Sequence, residues 1–383
     1  MRSVRIKNLL PAILIFLLGS CASVKKMTQP VAEIGSIKFI GQYEIPYNTT
    51  YQNTSVGGLS GIDYDAKNNL YYFICDDRSD KNPARFYTAK IYLHQKGIDS
   101  LVFTGVTYLL QAGGTVYPSN RQNRFLTPDP EAIRYDPVNR ELIWTSEGER
   151  IMNEKDTVLV NPSAILIHTN GKYIDSFILP GNLHIKVTEN GPRKNSVLEG
   201  MTFADNYRSL YINVEEPLYE DGPQADTEET NAFIRIYKFD VKTRRNTAQY
   251  AYKLSPVAYR AVPENAFKIN GVPDILSLGN NKLLIIERSF STGRLACTIK
   301  VFIADLEGAT DVSGMGLKDP AKYKPATKKL LLNMDDLGIY TDNIEGVTFG
   351  PVLPNGHKTL LFVADNNFNL LEKSQIFLFE ITE

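Results

Sequence analysis

The chain has 383 residues, with 42 lysines and arginines against 43 aspartates and glutamates, so its formal net charge is −1. This balance argues against a nucleic-acid-binding protein, which depends on a basic surface. The length is enough for one large hydrophobic core or for two domains. Beyond the N-terminus, no apolar run reaches the length that spans a membrane.

The N-terminus is typical of a secretory signal peptide, which we assign to residues 1–20. Basic residues precede an apolar run at residues 9–18, and this run is too short for a permanent membrane-spanning helix. The run ends in LGSC, which resembles a bacterial lipobox and predicts cleavage before Cys21 after its thiol has been acylated. A plain secretory signal with a chance cysteine is the alternative.

Acylation of Cys21 would attach the protein to a membrane of the bacterial cell envelope, because several acyl chains on one residue give stable anchoring. Residues 21–35 would then form a tether, and residues 36–383 a single exported domain. Two more cysteines, Cys75 and Cys297, lie inside strand-like runs of distant repeats. We expect them to be buried and unpaired.

The rest of the chain contains five copies of one pattern, at intervals of 68 to 75 residues. Each copy has two strand-like runs joined by a tight turn rich in Asp, Asn and Gly, which indicates a β-hairpin. An acid or a serine opens each copy, and an acid closes it. The clearest copies are LSGIDYDAKNNLYYFICDD, PEAIRYDPVNRELIWTSEG and LEGMTFADNYRSLYINVEE, and weaker ones begin at Pro273 and Ile344.

Two further strand-like runs, rich in Tyr, Phe, Ile and Val, follow the hairpin in most copies. Four strands per repeat predict an all-β fold, a β-propeller of four-stranded blades. The last copy has only three strands, so we expect residues 36–45 to supply the fourth. Their pairing with the C-terminal blade would close the ring. Five blades are therefore predicted, and a sixth, degenerate blade within residues 308–327 is the alternative.

The acids that open and close the copies are predicted to lie on one face of the ring. In a propeller blade the innermost strand leaves one face and the second strand returns to it. Carboxylates gathered in this way repel one another unless a cation or arginines balance them. Calcium prefers several such oxygen ligands. We therefore predict a Ca²⁺ site whose ligands are Glu131, Glu199, Glu345, Asn343 and Asp365.

Arginines near the closing acids are predicted to hold a small anionic or ester substrate. The guanidinium group donates two parallel hydrogen bonds, which match the oxygens of a phosphate. The alternative is that acid–arginine pairs only tie neighbouring blades together. The predicted substrate-binding residues are Arg78, Arg150, Arg193 and Arg288.

Proton transfer is assigned to Asp77, Glu147 or Glu215, one of which would act as general base. Ser60 is a conceivable nucleophile and His184 a conceivable partner from a loop on the acidic face. The sequence has no G-x-S-x-G elbow, no H-E-x-x-H motif and no Cys/His zinc spacing. A serine-hydrolase triad is therefore not expected.

At these residues the chain resembles the phytase-like family, known by the description "esterase-like activity of phytase". The matching stretches run in order from about residue 57 to residue 379 and cover most of the chain. The resemblance implies a hydrolase of phosphate esters or related esters, and it carries over no catalytic residue. The stretches include LSGIDYD, DDRS, PDPEAI, SEGER, NSVLEGMTF, EEPLYEDG, LLIIERSF, DNIEGVTF and ADNNFN.

The leading hypothesis is thus an exported, lipid-anchored hydrolase of phosphate esters or related esters, assisted by calcium. A non-catalytic module that binds a glycan, a phosphorylated ligand or a surface partner is the second hypothesis, because a propeller fold does not decide function. A calcium-dependent propeller of the lactonase kind is a third. It would share the metal but need a different substrate pocket.

Overall fold

A computed structural model describes residues 33–94, 96–154 and 156–382. Cys21, the signal peptide and nearly all of the predicted tether lie outside the described residues. The regular structure is almost entirely antiparallel β-strand, arranged as five small sheets in a ring. The predicted all-β fold, a five-bladed β-propeller, is therefore confirmed. None of the helices among the described residues is long and apolar enough to cross a lipid bilayer.

Each blade is a four-stranded sheet whose strands are named here from the channel outward. Blade 1 comprises Gly61–Asp65, Leu70–Cys75, Arg85–His94 and Gly97–Tyr108. Blade 2 comprises Pro130–Asp136, Glu141–Ser146, Ser163–His168 and Tyr173–Ser176. Blade 3 comprises Leu198–Ala204, Ser209–Val214, Phe233–Asp240 and Arg245–Lys253. Blade 4 comprises Ile275–Gly279, Lys282–Ser291, Thr298–Asp305 and Thr327–Asn333. Blade 5 comprises Asn343–Phe349, Thr359–Asp365, Ser374–Thr382 and Ser36–Ile45.

Short elements lie in the connections between these strands. An additional strand, Lys268–Gly271, pairs with the second strand of blade 4. The two small hairpins are Thr50–Tyr51 with Thr54–Ser55 and Glu149–Asn153 with Asp156–Val160. The helical turns are Asn120–Asn123, Gly181–Leu183, Pro320–Lys322 and Met334–Leu337.

The ring is closed by the N-terminal strand, as predicted. This strand runs antiparallel to the last strand of the chain, from Ser36 opposite Thr382 to Ile45 opposite Ser374. Blade 5 therefore contains both ends of the domain, and its outer edge is formed by the N-terminal strand. Such closure removes an exposed sheet edge that would otherwise pair with another chain.

The six-blade alternative is wrong. Residues 306–326 form an excursion along the outermost strand of blade 3, where Leu317 and Tyr323 pack against Phe233. The buried guanidinium group of Arg235 holds this excursion and donates a hydrogen bond of 2.9 Å to the carbonyl oxygen of Val312. The excursion covers blade 3 and adds no further sheet to the ring.

Glycine after the opening acid lets the innermost strands come close together. A Cβ atom on Gly200 would lie 2.5 Å from the Cα atom of Asp274 in blade 4, and one on Gly346 would lie 3.0 Å from the backbone nitrogen of Ile62 in blade 1. Both contacts are closer than real Cβ atoms allow without displacement of the neighbouring backbone. The Glu-Gly pair of the repeat therefore fits the narrow channel of a five-bladed ring.

Cys75 and Cys297 are buried and free. Each lies in the blade that its repeat forms, Cys75 at the end of a strand of blade 1 and Cys297 just before a strand of blade 4. The prediction of two unpaired thiols is confirmed.

An ion pair between Arg134 of blade 2 and Asp274 of blade 4 crosses the channel. The Nη2 atom of Arg134 lies 2.8 and 2.7 Å from the two carboxylate oxygens of Asp274. Its Nη1 atom donates to the carbonyl oxygen of Ile62 in blade 1 at 2.7 Å, and Asp274 accepts a hydrogen bond from the backbone of Val347 in blade 5 at 2.8 Å. The pair ties four blades together and lies between the two mouths of the channel.

Candidate functional site

The first and second strands of the blades bring their acidic ends to one mouth of the channel, as predicted. In blade 5, Asn343 at the start of the first strand lies opposite Asp365 at the end of the second. We call this end of the channel the acid mouth. It is defined by the carboxyl groups of Asp76, Asp129, Glu131, Glu147, Glu149, Glu199, Glu215, Glu345 and Asp365, which are buried or half-buried.

Three of these carboxylates come from blade 2 and its flanks. One oxygen each from Asp129, Glu131 and Glu147 lies within 4.8 Å of the others, a spacing that could hold a metal ion. The backbone fixes this group, because the amide of Glu147 donates to the carbonyl oxygen of Asp129 at 3.1 Å. The side chain of Glu147 is held in turn by the backbone amide of Val197, 2.5 Å from its Oε1 atom.

Burial and mutual repulsion make ionisation of these groups costly. Burial, followed by the charge of neighbouring carboxylates such as Glu199, raises the pKa of Glu131 well above its usual range. Burial also raises the pKa of Glu199, to which the charge of Glu147 contributes next. Burial raises the pKa of Glu215 to about 8, although the charge of Arg288 opposes this shift. A bound cation would reverse these shifts, because it favours the ionised carboxylates.

Arg288 is the central cation of the acid mouth. Its Nη2 atom lies 2.7 Å from the Oε1 atom of Glu215 in blade 3, and its Nη1 atom donates to Glu345 and Asn343 in blade 5. The side chain is only 12 % exposed. Arg288 therefore joins three blades and occupies the oxygens of Glu345 and Asn343, which the sequence analysis assigned to calcium.

Arg78 is the second cation of the acid mouth. Its Nη2 atom lies 2.6 Å from the Oε2 atom of Glu149, and its Nη1 atom lies 3.5 Å from Asp129. Among the described residues, the salt bridges to the acid mouth come from Arg78 and Arg288 alone. The carboxyl groups outnumber them, so an excess of negative charge is left when the acids are ionised.

Several buried oxygens of the acid mouth lack a partner. The Oδ1 atoms of Asp76 and Asp365 and the Oε1 atom of Glu149 make no hydrogen bond within the part of the chain that the structure describes. Asp365 is fully buried, and burial together with the charges of Asp76 and Glu345 raises its pKa well above the usual range. Such oxygens are costly to bury without a partner. The set of hard oxygen donors fits a divalent cation such as calcium.

Asp77 does not join the acid mouth, contrary to its predicted role as general base. Its Oδ2 atom accepts a hydrogen bond of 2.7 Å from the buried guanidinium group of Arg85. Its Oδ1 atom accepts hydrogen bonds from the backbone amides of Asp80 and Lys81. The carboxylate therefore shapes the turn after the second strand of blade 1 and is not free to take a proton.

Arg150 and Arg193 lie in the surrounding loops and form no salt bridge with the acid mouth. Both guanidinium groups pack on the ring of Tyr219, at 5.0 and 4.5 Å from its centroid. Arg193 also donates to the carbonyl oxygen of Pro217 at 2.8 Å. Of the four arginines predicted to bind substrate, the structure places Arg78 and Arg288 at the acid mouth.

Ser60 and His184 form no catalytic pair. The hydroxyl group of Ser60 is buried and donates to the carbonyl oxygen of Glu131 at 2.9 Å. The hydrogen-bond partners of Ser60 include no histidine among the described residues, and His184 is exposed in its loop. The expectation that no serine-hydrolase triad exists agrees with this arrangement.

Sequence reasoning gave no site role to Asp76, Asp129 or Glu149. Asp129 lies two positions before Glu131 in PDPEAI, a stretch that a proline framework holds in place. Glu149 follows the closing acid of the same copy by two positions, in SEGER. The signal was thus the doubling of acids at both ends of the second copy, which brings extra carboxylates to blade 2.

A model of the phytase-like family, described as "Esterase-like activity of phytase", matches residues 54–368. The match covers all five blades except the N-terminal strand and the end of the chain. Comparison with curated proteins gives no match.

Several solved structures are similar over most of the chain at low identity. An α-L-arabinofuranosidase from Lactobacillus brevis is 10% identical with a TM-score of 0.43, over 88% of this chain and 92% of that one. An endo-1,4-β-xylanase from Bacteroides thetaiotaomicron is 11% identical with a TM-score of 0.44, over 84% of this chain and 90% of that one. These likenesses say nothing about what this chain acts on.

Proposed function

The chain belongs to the phytase-like family, and from this membership and the acid mouth we propose that it hydrolyses phosphate esters or related esters with the help of a bound divalent cation. The observation that carries the proposal is the excess of buried carboxylates over guanidinium groups at one mouth of the channel. Strongly perturbed acids gathered in a cleft are typical of functional sites. Calcium is the cation we propose first, because the available ligands are oxygens.

Asp129, Glu131 and Glu147 are the residues that would hold the cation, since their oxygens already converge. Asp76 and Asp365 add buried oxygens without partners to the same mouth. A divalent cation bound there would supply Lewis acidity and positive charge toward an ester oxygen.

Glu215 is the residue we assign to proton transfer. Its carboxylate is buried, and Arg288 holds one of its oxygens at 2.7 Å. This contact fixes the orientation of the carboxylate, so that it can accept a proton from an attacking water. Glu215 thereby keeps the role that the sequence analysis gave to three acids.

Arg78 and Arg288 are the groups we assign to the anionic part of the substrate. Each side chain is partly exposed, at 25% for Arg78 and 12% for Arg288. A guanidinium group that already bridges carboxylates can orient a phosphate or an ester oxygen beside them. The negative charge of the mouth must be balanced before an anion can enter, which is why the proposal includes a cation.

Export and membrane attachment through Cys21 complete the proposal. The support is the lipobox-like LGSC sequence after a short apolar run. The hydrolase would then act in the bacterial cell envelope on a small substrate that reaches it from outside the cytoplasm.

The test measures turnover of p-nitrophenyl phosphate and p-nitrophenyl acetate with calcium and with EDTA. We expect turnover of at least one substrate with calcium, and its loss in EDTA. Glu131→Gln and Glu215→Gln should each lower kcat/KM by about 100-fold or more, as is typical when a cation ligand or a general base is removed.

The matched control is Glu216→Gln, which changes the next residue of the same strand end. Glu216 is held by Ser196 and Gln224 and forms no salt bridge with Arg288. The control should keep most of the activity. Turnover that ignores EDTA, or that survives both Glu131→Gln and Glu215→Gln, would remove the proposed reaction from the acid mouth.

A further inference from the structure

A second cavity opens at the mouth of the channel opposite to the acid mouth. Its volume is about 380 Å³, which lies within the range of small-molecule binding sites. All five blades contribute to its walls through the turns between their first and second strands. We call it the turn-side cavity. The Arg134–Asp274 ion pair lies between it and the acid mouth.

The floor of the turn-side cavity presents both hydrogen-bond donors and acceptors. Arg134 lines it with a side chain that is 2% exposed, and the Nε atom of this side chain has no hydrogen-bond partner within the described part of the chain. Asp63 also lines the floor and accepts hydrogen bonds from the Tyr135 amide at 2.7 Å and the Thr348 hydroxyl at 3.1 Å. A buried donor without a partner at the floor of a cavity points to a polar ligand.

Tyrosine rings form part of the wall and are held rigidly. Tyr64 stacks on Tyr71 with ring centroids 4.5 Å apart, and Tyr135 stacks on Tyr72 at 5.2 Å. Both Tyr64 and Tyr135 line the cavity. Their flat apolar faces next to a polar floor suit a ligand that is apolar on one side and polar at its edge.

The turn of blade 3 places a third tyrosine at the cavity at a cost to the backbone. Asp205, Asn206 and Tyr207 have consecutive φ angles of 53, 57 and 63°. Left-handed backbone costs about 1–2 kcal/mol for an L-residue, and only glycine, asparagine and aspartate adopt it readily. Tyr207 is therefore an unusual residue at this position. Its ring packs 5.3 Å from that of Phe203 and lines the cavity, and strain of this kind clusters at ligand sites.

The charged residues that line the turn-side cavity balance one another, unlike those of the acid mouth. The formal charges cancel, so the cavity has no net attraction for an anion or a cation. The acidic residues are Asp63, Asp65 and Asp205, and the basic residues are Lys67, Arg134 and Arg208.

We propose that the turn-side cavity binds a neutral, polyhydroxylated ligand of the sugar class, at a site separate from the acid mouth. A sugar ring presents C–H groups on its face, which pack on aromatic rings, and hydroxyl groups at its edge, which both donate and accept hydrogen bonds. The fixed tyrosines match the face of the ring, and the floor at Asp63 and Arg134 matches its hydroxyls. The site goes beyond the proposed hydrolysis and does not depend on it.

The test is saturation-transfer NMR on the purified domain with methyl glycosides of glucose, galactose, xylose and arabinose, each up to about 20 mM, where weak millimolar binding is detectable. We expect at least one glycoside to bind. Tyr207→Asn should weaken that binding by about tenfold or more, since a stacked ring contributes on the order of 1.4 kcal/mol or more. Tyr207→Asn should also leave the melting temperature unchanged or higher, because asparagine tolerates the left-handed backbone.

The matched control is Tyr92→Asn, which removes an exposed tyrosine that does not line the cavity. It should leave glycoside binding unchanged, and Tyr207→Gly should repeat the loss seen with Tyr207→Asn. Absence of binding by all four glycosides would overturn the proposal. So would binding that survives both substitutions of Tyr207, or a stronger response to glucose 6-phosphate than to the neutral glycosides.

Discussion

Replacing Arg134 with methionine is expected to lower the free energy of unfolding by about 3–5 kcal/mol, the usual cost of removing one partner from a buried ion pair. The guanidinium group joins four blades across the channel, and Asp274 would be left 1% exposed without its counter-ion. Urea denaturation at about pH 7.5 measures the change through the transition midpoint.

The pH dependence of this variant provides a second readout. Burial raises the pKa of Asp274 to about 6 even with Arg134 present, and removing the guanidinium group should raise it further. The folded variant then holds a proton that the unfolded chain has lost, so its stability should recover as the pH falls toward about 5. Asp274→Asn in the same chain should abolish that recovery.

Arg245→Met is the matched control, since Arg245 is an exposed residue of blade 3. Substitutions of this kind usually change stability by less than about 0.5 kcal/mol. If Arg134→Met cost less than about 1 kcal/mol, or if its stability did not depend on pH, then the ion pair would not hold the channel together.

The cation-free protein is expected to lose stability as the pH rises from about 5.5 to 8. Burial raises the pKa of Glu215 from 4.5 to about 8 in the folded protein. Between these values the folded protein holds a proton that the unfolded chain has released, so raising the pH favours unfolding. The other carboxyls of the acid mouth shift in the same direction. We expect the melting temperature to fall by more than about 5 °C, which corresponds to a few kcal/mol for a domain of this size.

Calcium should remove most of this loss. Ionised carboxylates bind the cation, so about 1 mM calcium at pH 8 should raise the melting temperature toward its value at the lower pH. Differential scanning calorimetry with calcium, and then with EDTA, measures the effect.

Glu131→Gln should reduce both the pH effect and the calcium effect, whereas Glu44→Gln, an exposed control, should change neither. A melting temperature that is flat or rises over this pH range would contradict the placement of strained carboxylates in the acid mouth. A calcium effect that Glu131→Gln leaves intact would place the cation elsewhere.

The fold could be predicted from the sequence because each blade repeats a local pattern. Alternating apolar residues form the strands, and an aspartate at the end of an innermost strand fixes the next turn. The carboxylate of Asp65, for example, accepts hydrogen bonds from the amides of Lys67 and Asn68. The alternation of strand direction then determines which face each acid occupies, so the acid mouth followed from the same pattern.

The pairing within the acid mouth could not be predicted, because it depends on side chains from different blades. Arg288 binds Glu345 and Asn343 and removes them from the simplest cation site. Asp77 is captured by Arg85, eight positions further along the same blade. These contacts are set by the distance between strand ends in three dimensions, which the spacing of residues along the chain does not contain.

Arg134 shows the same limit in the interior of the channel. In the sequence it is a single charged residue within a strand-like run, with no neighbouring acid to mark it. Its partner, Asp274, lies 140 positions away. Only the closed ring brings the two together and divides the channel into an acid mouth and a turn-side cavity.

The most direct measurement is a crystal structure of the domain soaked with calcium at about pH 7.5, with the ion located by its anomalous scattering. We expect a peak in the acid mouth with oxygens of Asp129, Glu131 and Glu147 at about 2.3–2.6 Å, the usual calcium–oxygen distance. A well-ordered acid mouth without such a peak, its carboxylates balanced by arginines alone, would contradict the central claim that this mouth binds a divalent cation.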